Sequence, residues 1–266
     1  MKYLGITIKR PKVGFFDFTG CEGCQLQIAN KEENLKDLFG LVEVVNFREI
    51  SSERRDDYEI AFIEGSITTD SEVARLKKIR DQAGTLVAIG ACACFGGVNN
   101  LRSRFPLPDV IKAVHDGHPI DTGPVRKVAE IVPVDIELPG CPISKPEFEW
   151  LVRQMVLGIK PQFPRYPVCV ECKQQLNSCV LDMGIMCLGP VTRAGCNAVC
   201  PRNRLGCWGC RGPSEEANLE SLMEILREKG FTEAHIAERM SFFNAFSGIV
   251  TVHGVTTSAL PQPIEL

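Results

Sequence analysis

Thirteen cysteines in 266 residues are the side chains of this sequence best suited to chemistry, and they are unevenly placed. Five come early: Cys21 and Cys24 in Thr19-Gly-Cys-Glu-Gly-Cys, Cys92 and Cys94 in Gly90-Ala-Cys-Ala-Cys, and Cys141 in Pro139-Gly-Cys-Pro. The other eight, Cys169, Cys172, Cys179, Cys187, Cys196, Cys200, Cys207 and Cys210, crowd one short segment. Disulfides need an oxidising compartment, whereas reduced thiols in the cytoplasm bind soft metals. The stretch from Met1 to Phe16 carries Lys2, Lys9, Arg10 and Lys12 but no apolar signal region, and no run approaches the roughly 18 apolar residues of a membrane span. A cytoplasmic chain with metal-ligating cysteines is the expectation.

The elements that must position these thiols are legible from apolar patterning. Short β-rich runs alternate with amphipathic segments over residues 1–160, as in a parallel sheet covered by helices on both faces. Strands are expected at Val13–Phe18, Val42–Phe47, Ile60–Glu64, Thr85–Gly90 and Ile131–Leu138. Helices are expected after Cys24, over Ser71–Gln82, and from Ser144, where Glu147 completes the pattern of a capping box and Phe148, Leu151, Val152 and Met155 form an apolar stripe. From Pro161 to Pro213 neither period is sustained, which predicts a loop-rich segment ordered by something other than a hydrophobic core. A last helix is expected over Ser214–Lys229. The fold class is therefore α/β, with domains at 1–160 and 161–266. A hydrophobic content of 44% and a net charge of -3 give no basic footprint for nucleic acid or an anionic membrane.

Ligands of an open parallel sheet collect beyond the carboxyl ends of its strands. Cys21 and Cys24 follow the first strand, Cys92 and Cys94 the fourth and Cys141 the fifth, with Gly20, Gly23, Gly90 and Gly140 close by to let backbone approach an inorganic group. Either Cys92 or Cys94 can complete a set of four. Cys92 is nearer the strand end and is chosen, with Cys94 left as packing. Four thiolates suit zinc or an iron-sulfur cluster equally. In the second half eight ligands make two further sets, sequentially Cys169, Cys172, Cys179 and Cys187, then Cys196, Cys200, Cys207 and Cys210. Interleaved pairing stays open. Three sets together favour a chain of redox centres over three structural zincs. Glu64 is read as bonding a turn, His115 and His118 as surface residues of a polar loop, and Trp208 as a water shield or a space filler.

These motifs taken together resemble the small subunit of nickel-iron hydrogenases, in the cytoplasmic group that includes the delta subunit of archaeal sulfhydrogenase. The likeness runs from Thr19-Gly-Cys-Glu-Gly-Cys-Gln-Leu-Gln through Ala61-Phe-Ile-Glu-Gly-Ser, Gly90-Ala-Cys-Ala and Gly140-Cys-Pro. It continues to Cys187-Leu-Gly-Pro-Val-Thr-Arg-Ala-Gly-Cys-Asn-Ala and Gly209-Cys-Arg-Gly-Pro, so it covers about residues 13–213. It implies a flavodoxin-like first domain with a proximal 4Fe-4S cluster on Cys21, Cys24, Cys92 and Cys141, beside the nickel-iron centre of a separate large subunit. It also selects Cys92 over Cys94. Familiar small subunits begin the distal set with histidine and have proline in place of a fourth medial cysteine. Here Cys169 and Cys200 stand at those places, implying three 4Fe-4S clusters, distal on Cys169, Cys172, Cys179 and Cys187 and medial on Cys196, Cys200, Cys207 and Cys210. The resemblance implies no catalytic residue in this chain and a further flavin or iron-sulfur acceptor subunit, since no Gly-x-Gly-x-x-Gly fingerprint is present. The related quinone-reductase subunit of respiratory complex I differs in having adjacent cysteines in its first motif and no cysteine-rich second half.

Overall fold

The computed structural model describes residues 2–3, 6–7, 10–30 and 35–246. Five parallel strands make the main sheet: β1 (Lys12–Asp17), β2 (Glu43–Asn46), β3 (Ile60–Glu64), β4 (Thr85–Ile89) and β5 (Ile136–Leu138). Their spatial order is β2-β1-β3-β4-β5, the flavodoxin-type doubly wound arrangement. Strand register decides where the ligand loops meet. Asp17 pairs with Glu64, Glu64 with Ile89, and Ile89 with Leu138. The chain therefore leaves β1, β3, β4 and β5 in one row, and every early cysteine loop starts from that row.

The first half also contains α1 (Gly23–Ala29), α2 (Leu35–Leu41), α3 (Asp70–Gln82), α4 (Gly90–Phe95), α5 (Leu107–His115) and α6 (Lys145–Val156). Side chains alternate between the faces of a strand. Phe15, Phe62, Val87 and Ile89 pack with Ile28, Leu38, Phe148 and Leu151 on one face. Phe16, Ala61, Ile63 and Leu86 pack with Leu76 and Ile79 of α3 on the other. Every residue of β3 is buried, as its continuous apolar run requires.

Several boundaries differ from expectation, each for a local reason. α3 starts at Asp70, because the Thr69 hydroxyl accepts from the Glu72 amide and the Glu72 side chain answers in a full capping box. α6 has Ser144 at its N-cap with no side-chain cap bond, so the expected box with Glu147 does not form. Glu147 points into the protein instead. The fifth strand is confined to Ile136–Leu138, preceded by a 3-10 turn at Val128–Glu130; Pro133 lies between them and lacks the amide a ladder needs. His115 closes α5 rather than lying in a loop.

The second half contains short helices α7 (Val168–Gln174) and α8 (Val199–Arg202), then α9 (Leu219–Glu228) and α10 (Glu233–Ser241). α9 starts later than the expected Ser214, because the Ser214 amide is engaged by Val191 and Asn218 caps the helix at the Ser221 amide. The segment from Pro161 to Pro213, expected to be ordered by something other than a hydrophobic core, does contribute to one. Val168, Leu181, Leu188 and Val191 pack against Leu222, Leu226, Ile236, Met240 and Phe246. The loop-rich segment supplies half of a core and the C-terminal helices supply the rest.

Phe62 lies at the centre of the first core, 1% exposed, with its ring centroid 4.7 Å from that of Phe15 and 5.3 Å from that of Phe148. Phe62→Ala is expected to destabilise the protein by about 3–5 kcal/mol, measured by denaturant unfolding; a loss below about 1 kcal/mol would contradict this packing.

Candidate metal centres

Cys21 and Cys24 flank the start of α1, Cys92 lies on α4 directly beyond β4, and Cys141 follows β5. The Cys21 thiol acts electrostatically on Cys92, those of Cys92 and Cys21 on Cys141, and those of Cys141 and Cys92 on Cys24. The four early residues are thus brought together at one edge of the sheet, with Cys21 and Cys141 exposed and Cys24 buried. Gly90 has φ +86°, and a Cβ there would lie 2.6 Å from the Cys24 sulfur. Only glycine permits both that conformation and that approach.

Cys94 is elsewhere. Two residues apart on a helix are turned by about 200°, so Cys94 faces the apolar layer with Ala88 and Leu86 while Cys92 faces the other thiols. Its thiol donates to the Ala88 carbonyl.

The eight later cysteines lie close together, and Cys187 stands beside members of both expected groups, acting on Cys169, Cys200 and Cys207. Cys172, Cys179 and Cys187 all act on Cys169. Cys196 and Cys200 act on Cys210, and Cys210 on Cys207. A Cβ on Gly189 would touch the sulfurs of both Cys187 and Cys169, at 3.3 and 3.4 Å. A cavity of about 530 Å³ is lined by Cys196, Cys200, Cys207, Cys210 and Trp208. Trp208 is 40% exposed, with the Arg239 guanidinium 3.5 Å above its ring and Phe242 edge-on to it. The groups also touch: the Cys207 amide donates to the Cys187 sulfur at 3.2 Å, and the Cys141 amide lies against the Cys210 sulfur.

Carboxylates brace these loops. Glu64, 4% exposed, accepts from the Cys24 amide at 2.9 Å and the Gln25 amide at 2.8 Å, which is the turn-bonding role read for it. Glu171, inside the Cys169–Cys172 motif, accepts from the amides of Gly195 and Ala198 at 2.8 and 3.0 Å. Sequence patterning marks Glu147 only as a helix cap and leaves Glu171 and Arg211 unmarked, although a charge set between or beside ligand cysteines is a usable signal.

The donor set fits iron-sulfur clusters. Thiolates around one zinc, each at about 2.3 Å, stand only roughly 4 Å from one another. Among the described residues no three Cys, His, Asp or Glu side chains converge closely enough to hold a single ion. A 4Fe-4S cluster takes each thiolate on a different iron, so its ligands spread more widely.

Residues 21–155 match the family described as NADH ubiquinone oxidoreductase, 20 Kd subunit. Sulfhydrogenase 2 subunit delta of Pyrococcus furiosus is 36% identical over 221 residues, covering 82% of this chain and 92% of that protein. Among solved structures, an NAD+-reducing [NiFe]-hydrogenase in the H2-reduced state superposes with a TM-score of 0.53 at 26% identity, over 59% of this chain and 96% of that one. An actinobacterial-type NiFe-hydrogenase from Ralstonia eutropha shares the fold over 93% of this chain and 86% of its own, with a TM-score of 0.55 at 18% identity.

Burial, with the neighbouring thiols adding to it, pushes Cys92 and Cys141 up to about 11 and Cys169 to about 12; burial likewise pushes Cys210 up to about 12. At neutral pH these thiols hold their protons until a metal displaces them. Loading iron and sulfide into the metal-free protein is therefore expected to release protons, and lowering the pH to speed iron loss, both followed in weakly buffered solution. Metal uptake without proton release would show that these thiols are not the ligands.

Proposed function

Because this chain belongs to the NADH ubiquinone oxidoreductase 20 Kd subunit family and, within it, to the small subunits of nickel-iron hydrogenases, we propose that it is the electron-transfer subunit of such an enzyme. On this reading it holds three 4Fe-4S clusters and relays electrons between the nickel-iron centre of a large subunit and a flavin or iron-sulfur acceptor subunit. The reaction centre lies in the partner, and this chain contributes no catalytic residue. Cys21, Cys24, Cys92 and Cys141 hold the proximal cluster, Cys196, Cys200, Cys207 and Cys210 the medial, and Cys169, Cys172, Cys179 and Cys187 the distal. Residues 1–160 form the flavodoxin-like domain of the proximal site and 161–266 the domain of the other two.

The observation that supports this reading is the gathering of Cys21, Cys24, Cys92 and Cys141 at one sheet edge and of the eight later cysteines in the adjoining loops, while Cys94 turns away. A 4Fe-4S cluster, when bound, supplies a one-electron redox centre whose potential is set by charge, burial and hydrogen bonds to sulfur. The chain's own residues arrange the rest. Exposed Cys21 and Cys141 offer the first foursome to a partner surface, and the amides of Cys141 and Cys207 give each adjacent pair of foursomes a direct contact. No helix among the described residues is long and apolar enough to cross a membrane; the proposal places the complex in the cytoplasm, where thiols stay reduced and available to metal.

Purified anaerobically with its large subunit, the chain is expected to develop the EPR signals of reduced 4Fe-4S clusters under hydrogen gas; signals that develop with dithionite and not with hydrogen would overturn the hydrogenase assignment. The pairing has its own test in Cys187→Ser. Loss or conversion of the distal signal with the medial signal retained is expected, and loss of the medial signal alone would contradict the sequential sets.

A further inference from the structure

Among the described residues Arg211 is the largest fully buried side chain, and it pairs with Glu147 at 2.7 Å; the two side chains are 1% and 7% exposed. Its guanidinium donates in three directions. Nε reaches the Ala194 carbonyl at 2.9 Å, Nη1 the Pro139 carbonyl at 2.8 Å, and Nη2 Glu147 Oε1. Pro139 stands two residues before Cys141, Ala194 two before Cys196, and Arg211 directly after Cys210. One side chain thus joins a loop of the proximal foursome to both loops of the medial one, where the Cys141 amide meets the Cys210 sulfur.

Space has been kept for this pair. Gly195 has φ +114°, and a Cβ there would lie 2.4 Å from both Arg211 Nη2 and Glu147 Oε1. Any other residue would clash with the pair in a backbone conformation it rarely adopts. Glu147 also forgoes the helix-capping role that its position after Ser144 offers.

Burying two charges is costly, and well-packed apolar side chains often serve stability as well or better. Holding loops together therefore does not by itself account for an ion pair here. What an apolar pair cannot supply is a field. Arg211 directly follows Cys210 and holds the carbonyl of Ala194, two residues before Cys196, so its charge stands beside the medial foursome. A fixed positive charge beside a cluster favours its reduced, more negative state, and a fixed negative charge opposes it.

We propose that Arg211 and Glu147 are a positioning pair that locks the medial ligand loops to the Cys141 loop and sets the potential of the medial cluster, Arg211 raising it and Glu147 limiting the rise. This rests on the iron-sulfur reading above. The test is an EPR-monitored redox titration of the complete complex, with iron and sulfide counted on each sample. Arg211→Met is expected to move the medial midpoint down and Glu147→Gln to move it up, with smaller shifts at the other two clusters and with Arg211→Lys close to the parent. Opposite signs are the signature that a merely structural role would not give. Should Arg211→Met fail to assemble or lose the medial cluster, the isosteric Glu147→Gln decides alone: an upward shift supports the proposal, and no shift or a downward one overturns it. Full clusters with unmoved potentials in both variants would sink the inference and leave the function intact, whereas a parent complex without sulfide would remove the function itself.

Discussion

Four thiols drawn into one poorly solvated space oppose one another's ionisation, and burial opposes it further. That constraint shapes the whole chain, because the sulfurs must be held in place before any metal compensates them. Cys24 and Cys207 lie almost fully buried, and both thiols are pushed well up by desolvation. The protein answers with rigid backbone rather than with neighbouring cations at every ligand. Carboxylates grip pairs of amides, Glu64 at the start of α1 and Glu171 across to the loop before α8, and Arg211 grips three separate acceptors.

The parallel sheet makes the first of these gatherings possible. A strand register that sets Asp17, Glu64, Ile89 and Leu138 side by side delivers three loops to one edge without a long excursion. The described residues of the second half form no sheet of this kind and solve the problem differently. Its apolar residues, from Val168 to Val191, fold onto α9 and α10. The ligand loops are then tied to the first half through Arg211 and to each other through the Cys207 amide.

Much of this was legible in the residues themselves. The run Ile60–Glu64, apolar up to its last residue, reads as a covered strand because both of its faces must be apolar, and the structure gives it those bounds. The early cysteines are traceable because strand ends in a doubly wound sheet share an edge. Other features depend on partners distant in sequence. Ser144 and Glu147 have the spacing of a capping box, but Arg211, 64 residues away, takes the carboxylate. The core of the second half was missed because Ile236 and Met240 find their apolar neighbours only after the intervening loops have folded. Separating Cys92 from Cys94 by residue type is impossible; helical phase separates them at once.

Anaerobic determination of iron and acid-labile sulfide in the purified complex, corrected for iron of the large subunit, tests the central claim most directly. About twelve iron and twelve sulfide per copy of this chain are expected for three clusters on four thiolates each. Zinc without sulfide would contradict the account and leave the cysteines as structural ligands.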